Sequence, residues 1–287
     1  MLPFFIAEAS SNHGRELARA LRFVDVAADA GCDAVKFQLF RIDRLFAPEI
    51  LAKSEKHRAR REWELPLEHL APLADHCAVR GIQFSCTPFY REAVDELAPY
   101  VSFYKVASYE LLVRPLLEAC AQTGKPVVLS TGMATLEEII VAVETLKGAG
   151  AKDITLLHCV SAYPTPVAEA NLAAIASLRN ATGCKVGWSD HTRRPSVIER
   201  AVHHWQAAAV EFHLDLDGRG AEYASGHCWL PGEIAPVIAR IHESFAADGT
   251  GFKEPQPSER DDRAWRADPS DGMRPLKSVR AVWEPSA

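Results

Sequence analysis

The sequence predicts an α/β protein, a (β/α)8 TIM barrel in a single domain followed by an extended C-terminal tail. Three observations carry that prediction. Short apolar, β-rich runs alternate eight times with stretches of helical periodicity. Several of the helical stretches end in a glycine just before the next run (Gly31, Gly81, Gly124, Gly150), the residue that helix C-termini favour. Side chains that carry chemistry gather at the ends of the runs, where a parallel barrel builds its active site.

The predicted strands are, in order, residues 4–9 (FFIAEA), 33–38 (DAVKFQ), 82–87 (IQFSCT), 102–108 (SFYKVAS), 126–131 (PVVLST), 153–159 (DITLLHC), 184–189 (CKVGWS) and 208–214 (AAVEFHL). Between them lie amphipathic stretches such as ELARALRFVDVAADAG and TLEEIIVAVETLKGAG. This alternation implies parallel βαβ units, and eight of them imply closure into a barrel, with a doubly wound open sheet as the runner-up. No GxGxxG or GxxxxGK[ST] loop follows a strand, which counts against a nucleotide-binding open sheet. Residues 39–80 read as a long irregular insertion. The barrel is assigned to residues 1–250. The segment 251–287 is rich in Pro, Asp and Arg and lacks periodicity, so an extended tail wrapping the barrel or a neighbouring subunit is expected.

Composition narrows the function classes. At 287 residues and 48% hydrophobic the chain can bury a large core, and a net charge of −6 argues against nucleic acid as a partner. The densest basic stretch, Lys53 to Arg61, is interleaved with acids; it reads first as a solvated face and second as a lid over an anionic substrate. No run approaches the roughly 20 apolar residues of a membrane span. Glu8 interrupts the apolar amino terminus, which reads as a buried strand and not a signal peptide. Seven scattered cysteines without a CxxC pair fit a reduced, cytoplasmic protein.

The strand ends deliver Glu8; Lys36 with Gln38; Thr87; Lys105 with Ser108; Ser130 with Thr131; His158 with Ser161 and Tyr163; Ser189 with Asp190 and His191; and Glu211 with His213. Ser130 and Thr131 alone could be helix caps. Lys36 and Lys105 sit inside apolar runs, where an unpaired ammonium is costly, so each implies an internal salt bridge or a bound anion, the anion being favoured. His191 and His213 end consecutive strands and could ligate a catalytic divalent metal with positions left open; a hydrogen-bonded core pair is the alternative. Asp190 and Glu211 could orient those imidazoles. Glu8 is a candidate general acid/base, or else a partner for Lys36. His203 and His204 look structural, and His227 in SGHCW is ambiguous.

The ordered strings IAEASSNHG, DAVKFQ, FSCTPF, YKVASYEL, GKPVVLSTGMATLEEI, ITLLHCVSAYPTP, VGWSDHT and VEFHLDLD resemble the N-acetylneuraminate (sialic acid) synthase family over most of residues 4–250. The resemblance implies condensation of phosphoenolpyruvate with an aldose to a 2-keto-3-deoxy sugar acid, using manganese or magnesium. It implies His191 and His213 as metal ligands, and Lys105, Ser108, Ser130 and Ser189 as the phosphoenolpyruvate cradle, with Thr87 and Lys36 near its anionic groups. Glu8 then lies beside the reacting centre and Tyr163 on the sugar side. Gln38, Asp190 and Glu211 complete the expected site.

The chain departs from the family in three ways. No C-terminal antifreeze-like domain is expected after the barrel, Ser161 stands where an amide is common, and GRGAEYASGHCWLP replaces a string like GPDHKASLEP. Glu222 is the candidate substitute for that string's sugar-binding Asp. An acceptor other than N-acetylmannosamine is therefore expected, while the family resemblance implies a homodimer. The competing readings are a Schiff-base pyruvate aldolase with Lys105 as nucleophile and an inactive barrel that binds an anionic sugar.

Overall fold

The computed structural model describes residues 2–284. Its eight strands are β1 (Phe4–Glu8), β2 (Ala34–Leu39), β3 (Gln83–Pro88), β4 (Phe103–Val106), β5 (Val127–Ser130), β6 (Ile154–His158), β7 (Lys185–Asp190) and β8 (Ala209–His213). They pair in parallel and in sequence order, and β8 closes on β1, giving the predicted barrel. Every strand boundary lies within two residues of its sequence-based position.

Strand period-two geometry explains how one chain makes both a dry core and a polar floor. Alternate residues of each strand face the barrel axis. Low in the barrel those positions are apolar, and Ile6, Ala34, Phe103, Val128, Leu157 and Ala209 form an interior plug. Two residues further along the same strands, the inward positions become Glu8, Lys36, Lys105, Ser130, Cys159 and Glu211. The outward positions, such as Phe5, Val35, Phe37, Val186 and Phe212, pack under the helices in the larger core cluster. Gly187 faces inward on β7, where a Cβ would strike the Ala209 carbonyl oxygen and approach Leu157 Cδ2 to 2.8 Å.

The segment 39–80 is largely helical and not irregular. It contains helices Ile42–Leu45, Pro48–Lys53 and Glu55–Ala59, a 3-10 turn Arg60–Trp63, and the crossover helix Leu70–Arg80, which ends on Gly81 at positive φ. Glu64 anchors the arm by accepting from Ile42 N at 2.7 Å, and Ser54 caps its third helix. The pieces are too short to show a helical period, which is why the pattern reads as loop.

Residues Ala246–Ala287 form a separate compact unit. It is not extended throughout: Arg260–Ala264 and Lys277–Arg280 are helical, Leu276 N donates to Ala264 O, and Arg280 pairs with Asp271. No helix among the described residues is long and apolar enough to cross a membrane.

Candidate active site

A cavity of about 660 Å3 opens at the C-terminal ends of the strands. Of the residues singled out in the sequence, Glu8, Lys36, Gln38, Thr87, Lys105, Ser108, Ser130, Tyr163, Ser189, His191, Glu211, His213 and Glu222 line it. Seven strands and the loops after β6 and β8 thus converge on one basin.

Its floor is a chain of alternating charge. Lys36 is ion-paired with Glu8, and its Nζ lies 3.8 Å from Glu211 Oε2. Glu211 Oε1 is 3.2 Å from Lys105 Nζ and accepts from Ser189 Oγ at 3.1 Å. Lys36 also donates to Thr87 Oγ1 at 3.1 Å. The lysines therefore have the internal partners that ranked second in the sequence, and they also face the cavity. Burial pulls the Lys36 ammonium down to about 7 against the attraction of Glu211. Burial opposes the charge on Glu211 as well, but Lys105 and Lys36 overcome it and hold that carboxyl down at about 2. Donors surround this floor. The Ser130 hydroxyl is buried and has no partner, and Ser108 Oγ accepts from Gly132 N at 3.0 Å. Two cations and an unsatisfied hydroxyl at the base of an open cavity suit a phosphate and a carboxylate.

The opposite wall is imidazole. His191 Nδ1 bonds the Val160 carbonyl oxygen at 2.7 Å, which makes Nδ1 the protonated nitrogen and leaves the Nε2 lone pair free. His213 Nδ1 lies 3.3 Å from Glu222 Oε2, and His227 Nε2 lies 3.7 Å from the same oxygen. Burial lowers His191 to about 3 and also lowers His213, so both are neutral rings at ordinary pH. Burial disfavours the Glu222 carboxylate, yet bonds with His213 and His227 hold its pKa well below the usual range. The ring centres of His191 and His213 are 5.3 Å apart, and Tyr163 packs 4.3 Å from His191. Neutral imidazoles beside a carboxylate, with the second ring nitrogen of His191 left free, fit a divalent cation.

Two predicted residues lie elsewhere. Asp190, fully buried, spends its carboxylate on the protein: Oδ1 accepts from Trp188 Nε1, Thr192 N and Thr192 Oγ1, and Oδ2 accepts from Arg193 N and Trp229 Nε1. It shapes the turn that carries His191 and is not turned to the cavity. Ser161 lines a neighbouring cavity with Thr131 and Asn171, where its buried, unpartnered hydroxyl packs on Gly132 together with Ser108 and with Cys159, which lines both cavities. Thr131 Oγ1 bonds Leu157 O and His158 Nε2 bonds Ala170 O, both structural contacts.

Other residues enter that the sequence did not assign to the site, and His227, which it left open, is among them. Ser10 reaches Glu222 with its hydroxyl and receives Gln38 Nε2 at 3.0 Å. Arg60 and Trp63 line the cavity, and the Arg60 guanidinium lies 5.1 Å from the Trp63 ring centre and 5.7 Å from that of Phe46, while Arg61 of the same basic stretch is exposed and pairs with Asp43. His227 enters because Trp229 N bonds His213 O at 2.8 Å and Asp215 N bonds Trp229 O at 2.9 Å, which lays the returning chain beside the end of β8. The signal was the SGHCW string, whose Gly226 turns at positive φ.

The fold and site define a (β/α)8 barrel enzyme with a lysine- and serine-lined floor and an imidazole-rich wall. Comparison with known proteins gives the family. The NeuB family pattern matches residues 23–253. The chain is 36% identical over 267 residues to the N,N'-diacetyllegionaminic acid synthase of Campylobacter jejuni, covering 88% of this chain and 80% of that protein. It is 33% identical over 259 residues to a pseudaminic acid synthase of the same species, covering 86% and 75%. Among solved structures, the N-acetylneuraminic acid synthetase of Leptospira borgpetersenii superposes with a TM-score of 0.80 at 32% identity, covering 91% of this chain and 90% of that one. This chain belongs to the NeuB family, whose members are phosphoenolpyruvate-dependent synthases of sialic-acid-like sugars.

Proposed function

We propose that this protein condenses phosphoenolpyruvate with an aldose other than N-acetylmannosamine, giving a 2-keto-3-deoxy sugar acid and inorganic phosphate, with a divalent cation bound at His191 and His213. The observation that carries the reading is the pairing of a lysine- and serine-lined anion floor with a neutral imidazole wall in one cavity.

Lys36, Lys105, Thr87, Ser108, Ser130 and Ser189 hold the carboxylate and phosphate of phosphoenolpyruvate against the floor, which fixes its C3 toward the aldehyde. A cation such as manganese or magnesium on the imidazole wall would supply Lewis-acid polarisation of that aldehyde. C3 forms the new bond to the aldehyde carbon, water adds at C2, and phosphate departs by C–O cleavage. Glu8 lies on the floor beside Lys36, placed to handle the proton of the attacking water. Glu222 supports the altered acceptor: it is tied to Ser10, His213 and His227, so less of it is free to bind a sugar hydroxyl.

The test is phosphate release from phosphoenolpyruvate across a panel of aldoses with manganese, with product masses. Turnover that EDTA abolishes, and no lysine adduct after pyruvate and borohydride, is the expected result. No phosphate with any aldose would overturn the synthase reading. N-acetylmannosamine as the best acceptor would overturn the acceptor assignment alone.

A further inference from the structure

His227 lies outside the pair of histidines that the family resemblance assigns to the metal, yet its setting is theirs. It is 3% exposed, and its Nδ1 has no hydrogen-bond partner. Its Nε2 lies 3.7 Å from Glu222 Oε2, the carboxylate oxygen that also faces His213 Nδ1. The three rings cluster: His213 and His227 centres are 4.5 Å apart, His191 and His213 5.3 Å, and His191 and His227 6.3 Å. A metal–nitrogen distance of about 2.1 Å is compatible with all three rings meeting one cation. Donor atoms of His213, Glu222, His227 and Cys228 lie within 4.8 Å of one another, and His191 adjoins that group through His213.

We propose that His227 is a third imidazole ligand of the divalent cation, beside His191 and His213, with Glu222 shared between His213 and His227 as the carboxylate of the site. The proposal rests on the synthase reading above. Three nitrogen donors favour manganese, iron, cobalt or zinc over magnesium, which prefers oxygen ligands and bound water. The site is then selective for a transition metal.

Manganese itself is the probe. Metal-free protein is titrated with manganese and with magnesium by calorimetry, and pulsed electron paramagnetic resonance counts the imidazole nitrogens on bound manganese. The wild type is expected to show three imidazoles and to prefer manganese. His227→Gln is expected to show two and to bind manganese at least about tenfold more weakly, with the melting temperature of the metal-free protein unchanged. Two imidazoles in the wild type, or an unchanged affinity and spectrum in H227Q, would overturn the proposal and leave the synthase reading standing. Binding of neither manganese nor magnesium by the wild type would overturn both. If H227Q does not fold, the nitrogen count in the wild type decides.

Discussion

Replacing Asp190 by Asn separates an organising carboxylate from a substrate ligand. The aspartate accepts five hydrogen bonds, three at Oδ1 and two at Oδ2, and is fully buried. An amide in the same place keeps one oxygen. If that oxygen stays toward Trp188 and Thr192, the NH2 group faces the Arg193 N–H and the Trp229 indole N–H, two donors that then have no acceptor. Each orphaned buried donor costs about 1–3 kcal/mol, so the loss is about 4 kcal/mol, and the flipped amide would lose more. At roughly 2–4 °C per kcal/mol for chains somewhat shorter than this one, D190N should melt about 10 °C lower, followed by circular dichroism. Phosphoenolpyruvate affinity, measured by calorimetry well below that midpoint, should change little. An unchanged melting temperature with phosphoenolpyruvate binding abolished would refute the structural role and restore Asp190 to the substrate.

Three further outcomes are expected. Gly187→Ala places a methyl against the Ala209 carbonyl and Leu157 inside the barrel, and should cost at least about 3 kcal/mol in urea unfolding; a loss under about 1 kcal/mol would mean that β7 can move away. Burial raises the Glu110 carboxyl to about 7 despite Lys105, so its stabilising protonated form is complete below about pH 4.5 and is lost as pH rises through 7. Glu110→Gln should therefore gain on the wild type by up to about 3 kcal/mol between pH 4.5 and 8, and a difference that does not vary with pH would refute it. Arg60→Ala removes a guanidinium stacked on Trp63 at the mouth, and should raise KM for the aldose about tenfold while leaving KM for phosphoenolpyruvate within about twofold; an equal rise in both would place Arg60 on the phosphoenolpyruvate side.

The barrel was legible because strand and helix periods alternate over whole units, and the site was legible because a parallel barrel sends every strand end to one face. What failed was orientation within a few residues. Asp190 and His191 are neighbours in sequence, but the first turns back to two indoles and the second to the cavity, and no local pattern separates them. Ser161 follows β6 as a ligand would, yet lines the neighbouring cavity. His227 depends on a chain reversal pinned by Trp229 to the end of β8, a pairing between segments that one sequence does not display. The arm after β2 was hidden for a different reason: helices of four to six residues carry no period.

Asp190 also makes a spectroscopic device of its surroundings. Trp188 and Trp229, two of six tryptophans, point their indole N–H groups at one buried charge, and both rings are dry. Their fluorescence should lie toward the blue and respond to the electric field at the turn that carries His191. Trp63, half-buried at the cavity mouth, emits from a wetter setting. The chain thus carries intrinsic chromophores at both ends of one cavity, one set reading charge behind the imidazole wall and the other reading water at the entrance.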